Sequence, residues 1–103
     1  MGMTERTERP PMLEKDFQSA VIELAKWQHW RWYHTRDSRR SPSGFSDLIM
    51  LRGQRAIAAE LKTAAGIVST EQQQWLDAFA LAGIEAYIWR PDDLDTIIPA
   101  VLA

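Results

Sequence analysis

The sequence predicts a single α/β domain: a mixed sheet with helices on both faces, its elements in the order α-β-β-β-α-β-α. Three observations carry that prediction. Residues 46–62 read as two apolar strands around one tight turn. Both faces of those strands are apolar, with Ile49, Leu51, Ala56 and Ala58 on one side and Leu48, Met50, Ile57 and Ala59 on the other. Such a pair needs cover above and below. Apolar residues at helical spacing precede the hairpin and follow it.

Residues 1–11 are polar, mixed in charge and end in Pro10-Pro11, which reads as a flexible tail. The remaining residues, 12–103, are the length of one domain. A first helix is expected from Met12 to about Gln28, on the spacing of Leu13, Phe17, Ala20, Val21, Leu24 and Ala25. Glu14 lies at the edge of that stripe. Two readings fit it: an acid turned partly inward, or a first-turn acid favoured by the helix dipole. His29 stands where it can cap the helix end. Trp30 to Thr35 reads as a strand with Trp30, Trp32 and His34 on one face. The cluster of Trp27, Trp30, Trp32 and Tyr33 suits core or interface packing, with base stacking as the alternative; His34 reads as structural.

Thr35 to Phe45 is a loop by composition. It leads straight to Asp47, so Arg36, Arg39 and Arg40 are candidate phosphate contacts. Gly44 permits a sharp turn into the next strand. In the hairpin, Gly53 fits the first central position of a type II′ loop. That loop pairs Arg52 with Arg55, Leu51 with Ala56, Ile49 with Ala58 and Asp47 with Glu60. Opposed residues share a face, with Cβ atoms roughly 5 Å apart, so two carboxylates fall side by side. Lys62 shares the face of Glu60. Opposed like charges destabilise a strand pair, and a divalent cation between them would relieve the repulsion. Oxygen ligands suit Mg²⁺ or Mn²⁺. The alternative is a frayed hairpin end with solvated carboxylates and Lys62 as a surface counter-charge.

Thr63 to Val68 is a short loop. Ser69 and Gln72 form a capping box for a helix through Trp75, Leu76 and Phe79 to Ala82, with Gly83 as its stop. Gln72 also lies on that helix's buried stripe, near its start, so its side chain is not committed to capping alone. Ile84 to Arg90 is the last strand. After Pro91, Asp92 or Asp93 opens a final helix whose apolar side is Leu94, Ile97, Ile98, Val101 and Leu102, and Pro99 leaves its end open.

The bulk numbers exclude several classes. The chain has no cysteine, so a disulfide framework and a zinc-thiolate site are excluded. No apolar run approaches the roughly 20 residues of a membrane span. The first residues lack an apolar signal core, and a cytoplasmic location is expected. The net charge of −2 gives no global pull toward nucleic acid. Locally, Arg31, Arg36, Arg39, Arg40, Arg52 and Arg55 against Asp37 and Asp47 give residues 31–55 a charge of +4. That fits a DNA footprint or a solvated loop.

Gly44-Phe45-Ser46-Asp47-Leu48, then Glu60-Leu61-Lys62, then Ser69 and Gln72 resemble the VRR-NUC (virus-type replication-repair nuclease) branch of the PD-(D/E)XK nucleases. The family's motifs run G-x-P-D-L, E-x-K-T and S-x-x-Q in that order, and the likeness spans about Glu14 to Pro91. Ser46 stands where the family usually has proline. The resemblance implies a restriction-endonuclease-like core and metal-dependent hydrolysis of DNA. Asp47, Glu60 and the backbone carbonyl of Leu61 would bind Mg²⁺ or Mn²⁺. Lys62 would serve the attacking water or the phosphate, Glu14 would approach the metal, directly or through water, and Gln72 would orient the site. Relatives of this size resemble homodimeric endonucleases selective for branched DNA, including four-way junctions. The dimer surface is expected at the tryptophan cluster or the last helix. Other classes remain: a DNA-binding module on the same fold that does not cut, or an interaction domain whose arginines bind an acidic protein.

Overall fold

The computed structural model describes residues 11–35 and 42–103. In chain order they form α1 (Glu14–Trp27), β1 (Arg31–His34), β2 (Leu48–Arg52), β3 (Arg55–Leu61), α2 (Thr70–Leu81), β4 (Glu85–Trp89), a 3-10 helix (Pro91–Asp95) and α3 (Ile97–Leu102). The four strands make one sheet in the order β1-β2-β3-β4. The pairings β1–β2 and β2–β3 are antiparallel, and β3–β4 is parallel, joined across α2.

The turn sets the register of the central pair. Gly53 has φ of 60°, while His29 is the only non-glycine with positive φ among the described residues. Gln54 therefore has negative φ, as a type II′ loop requires. Arg52 faces Arg55, Leu51 faces Ala56 and Ile49 faces Ala58. A slip of one residue would turn every side chain to the wrong face.

The two faces of the sheet differ. Phe17, Val21 and Ala25 of α1 are wholly buried, and they cluster with Leu48, Met50, Ile57, Ala59, Leu61 and Trp89 from the sheet and with Ile98 and Leu102 from α3. Alternation along β3 sends Ala58 and Glu60 to the other side. There Gln72 of α2 reaches Glu60. Helices thus cover both faces of a mixed sheet.

Both long helices stop in the same way. His29, with φ of 66°, follows α1; Trp30 N–H donates to Ala25 O at 2.9 Å and His29 N–H to Lys26 O at 3.0 Å. Gly83, with φ of 88°, follows α2; Ile84 N–H donates to Phe79 O at 2.9 Å and Gly83 N–H to Ala80 O at 3.0 Å. This is the Schellman motif, which satisfies carbonyls the helix leaves open.

Three expectations are corrected. The single final helix is two short ones, separated at Thr96 (φ −131°, ψ −77°). Pro99 explains the break: it has no N–H for the carbonyl of Asp95 and its ring crowds that group, so a helix can begin just before it but not run through. Leu13, expected on the apolar stripe of α1, is 70% exposed at the N-cap. Arg52 and Arg55, counted in the basic stretch, are engaged away from Asp47. Arg52 donates to the carbonyls of Gln28, Leu102 and Ala103 and lies over Trp30, while Arg55 makes two bonds to Glu85. Both sit at the turn end of the hairpin, about 17 Å from Asp47 at roughly 3.4 Å per residue. Arg36, Arg39, Arg40 and the first ten residues lie outside the described residues. No described helix is long and apolar enough to cross a membrane.

Candidate active site

The hairpin register delivers Asp47 and Glu60 to the same end of the central strands. Asp47 Oδ2 accepts the Leu61 N–H at 2.9 Å, which ties the start of β2 to the end of β3. Thr35 secures the approach to β2: its N–H donates to Asp47 O at 2.9 Å and its hydroxyl to Ser46 O at 3.1 Å. Ser46 itself is wholly buried, and its hydroxyl has no partner. Such a position suits a residue with no polar side chain, as the proline of the family motif would be.

Glu60 is only 2% exposed. Its Oε2 accepts from Gln72 Nε2 at 2.8 Å and lies 3.6 Å from Lys62 Nζ. Its Oε1 is buried and receives no donor while Glu60 and Asp47 are both ionised. Burial first, then the negative charge of Asp47 and a hydrogen bond with it, push the Glu60 carboxyl up to about 8, against the opposing pull of Lys62. Two carboxyls in one site cannot both ionise cheaply, so one retains its proton. A buried acid this poorly satisfied costs stability. It is what a site for a proton or a cation looks like.

Gln72 holds Glu60 from the first turn of α2, and the capping box holds Gln72. Ser69 Oγ accepts the Gln72 N–H at 3.1 Å, while Ser69 N–H donates to Gln72 Oε1 at 2.9 Å. Capping therefore fixes the amide's orientation, and its remaining N–H group points at the carboxylate. Capping and site support are one arrangement.

Glu14 is not brought to this pair. It is exposed in the first turn of α1 and accepts from Gln18 Nε2 at 3.1 Å. The buried side of α1 packs on the sheet face that does not carry Glu60. Among the described residues, no three His, Cys, Asp or Glu side chains converge as a metal-ligand group. A hard cation here would rest on two carboxylates, a backbone carbonyl and the groups of its substrate.

Sequence reasoning missed how Gly44 and the aromatics beside it buttress the site. A Cβ on Gly44 would come within 2.5 Å of the Glu71 backbone carbon and 2.7 Å of the Gln72 nitrogen. The loop thus presses directly on the start of α2. Phe45 meets Trp75 edge-on at 5.0 Å and lies 5.9 Å from Phe79. The available signal was Trp75 and Phe79 four residues apart on one helix face, with an aromatic one residue after a glycine in the preceding loop.

The VRR-NUC domain model matches residues 8–92. Among solved structures, a VRR-NUC domain protein is similar with a TM-score of 0.70 and 19% identity, over 89% of this chain and 87% of the other. Hjc of Archaeoglobus fulgidus, a Holliday junction resolvase, is similar with a TM-score of 0.54 and 23% identity, over 75% of this chain and 67% of that one. A search of the curated proteins gave no match. The fold is a restriction-endonuclease-like α/β core of the kind nucleases use. The chain belongs to the VRR-NUC nuclease family.

Proposed function

We propose that this protein is a Mg²⁺- or Mn²⁺-dependent DNA endonuclease that hydrolyses phosphodiester bonds in branched DNA, such as four-way junctions, as a homodimer. One observation carries the reading. Glu60 is buried beside Asp47, with one oxygen held by Gln72 and Lys62 and the other without a donor unless a proton or cation lies between the two acids. A site built for stability alone would satisfy that oxygen or replace the acid.

The donors fit a hard divalent cation, since Mg²⁺ commonly takes one or two carboxylates and completes its shell with water and substrate phosphate. Asp47, Glu60 and the carbonyl of Leu61 would hold it, without Glu14, which is exposed on α1 and bonded to Gln18. Bound there, such an ion supplies charge stabilisation at the phosphate and a more acidic water. The chain's own groups do the rest. Gln72 keeps Glu60 Oε2 engaged, so that Oε1 stays free for a ligand. Lys62 holds or deprotonates the attacking water, or steadies the charge that grows on the phosphate oxygens. Arg36, Arg39 and Arg40 contact the DNA backbone. A dimer suits a junction because two symmetric strands need two active sites. The likeness to a junction resolvase supports that substrate class.

The test is direct. Purified protein is incubated with a four-way junction and with linear duplex, in Mg²⁺, in Mn²⁺ and in EDTA. Metal-dependent cleavage with preference for the junction is expected. Intact DNA in both metals, together with salt-sensitive gel shifts in EDTA, would instead make the protein a non-cleaving DNA-binding module.

A further inference from the structure

An open cleft of about 290 Å³ is lined by Ser43, Glu71, Gln74, Trp75 and Ala78. Its walls are the two segments that hold the site. Ser43 lies four residues before Asp47, and Glu71 precedes the Gln72 that grips Glu60. Gly44 presses these segments together. Trp75 is half-buried and fixed: its indole N–H donates to Ser43 O at 3.1 Å, and its ring contacts Phe45 and Phe79. Glu71 and Gln74 add an exposed carboxylate and an exposed amide.

We infer that this cleft receives one unstacked nucleobase of the DNA. The volume is at the low end of ligand pockets, which run roughly 300–1,000 Å³, so it suits one planar ring system rather than a duplex. An immobilised indole is a stacking platform that any base can use. The amide and carboxylate match the donors and acceptors of a base edge, whereas a carboxylate with no cation among the lining residues opposes a phosphate. The inference rests on DNA being the substrate, and it adds that the DNA must present an unpaired base near the scissile phosphate, as branched DNA can.

The experiment measures binding in EDTA, by anisotropy, to a plain duplex and to the same duplex carrying one extrahelical 2-aminopurine. Wild type should bind the second about tenfold more tightly, the scale of one base–aromatic stack, and quench the 2-aminopurine. Trp75→Ala should remove both the preference and the quenching. Because Trp75 also packs against Phe45 and Phe79, Ala78→Phe serves as a second variant that fills the cleft and deletes nothing; it should lose the same preference. Equal binding of the two duplexes by wild type, or an undiminished preference in folded variants, overturns the inference. Cleavage in Mn²⁺ is scored separately. Cutting without base preference removes only the cleft; base preference without cutting removes only the nuclease reading.

Discussion

The two faces of β3 make opposite uses of neighbouring residues. Ile57, Ala59 and Leu61 point into an apolar core shared with α1 and α3, whereas Glu60 points to α2, with a buried oxygen that receives no donor while both acids are ionised. On the first face each position is chosen for fit. On the second a costly residue sits where no packing argument would put it. Alternation lets one strand anchor the fold and carry chemistry, so the residues that stabilise the site are the residues that stabilise the sheet. Local departure from stability is the mark of function.

Substitutions on each face should separate the two roles. The largest effect is expected from Phe17→Ala, which empties a wholly buried site on the core face. It should cost about 3–5 kcal/mol, read by urea denaturation, a large share of the stability of a domain this size. Cleavage per folded molecule should stay near wild type. Lys62→Ala should do the reverse. A loss of about 10²–10³-fold in cleavage rate is the scale for removing one group that stabilises transition-state charge, with the melting temperature little changed. Full activity in that variant would dissolve the distinction between the faces.

A subtler contrast comes from pH. The folded chain holds the Glu60 proton more tightly than the unfolded chain, since the carboxyl rises from 4.5 to about 8. Stability from this group is therefore complete below about pH 4.5 and is lost as pH rises toward about 8. A cation must displace the same proton, so Mn²⁺ affinity should climb across that window. Melting curves from pH 5 to 8.5, with and without Mn²⁺, test both slopes. Glu60→Gln should flatten both and abolish cleavage. A metal affinity independent of pH would break the link between the orphaned oxygen and the ion. The smallest effect is expected at the helix ends. His29→Gly places at the α1 stop the residue that already serves α2, and should add about 0.5–1 kcal/mol of stability with no change in cleavage.

The same contrast explains what was legible in the sequence. Gly53 and alternation dictated the hairpin pairs, and Ser69 with Gln72 dictated the cap, because turn geometry and capping act over a few residues. The juxtaposition of Asp47 and Glu60 follows from that local rule. The position of Glu14 does not, because a helical residue's reach depends on which sheet face the helix covers. Gly44 read as a turn residue when its tighter constraint is α2, about 27 residues away. Arg52 and Arg55 counted toward a basic patch, yet their partners come from distant segments. Pro99 marked trouble in the last helix without showing that the break falls at Thr96.

The guanidinium of Arg52 has a further consequence, for the order of assembly. It joins the carbonyls after α1 to those of residues 102 and 103, while Trp30 N–H also donates to Leu102 O. During synthesis the strands that carry Asp47 and Glu60 leave the ribosome first, but the floor beneath them stays open until Ile98 and Leu102 arrive. Nascent chains stalled with residue 96 just outside the exit tunnel should be digested readily by protease, and chains stalled with residue 103 outside it should be resistant. Equal resistance at both lengths would show that the sheet and α1 close without that latch.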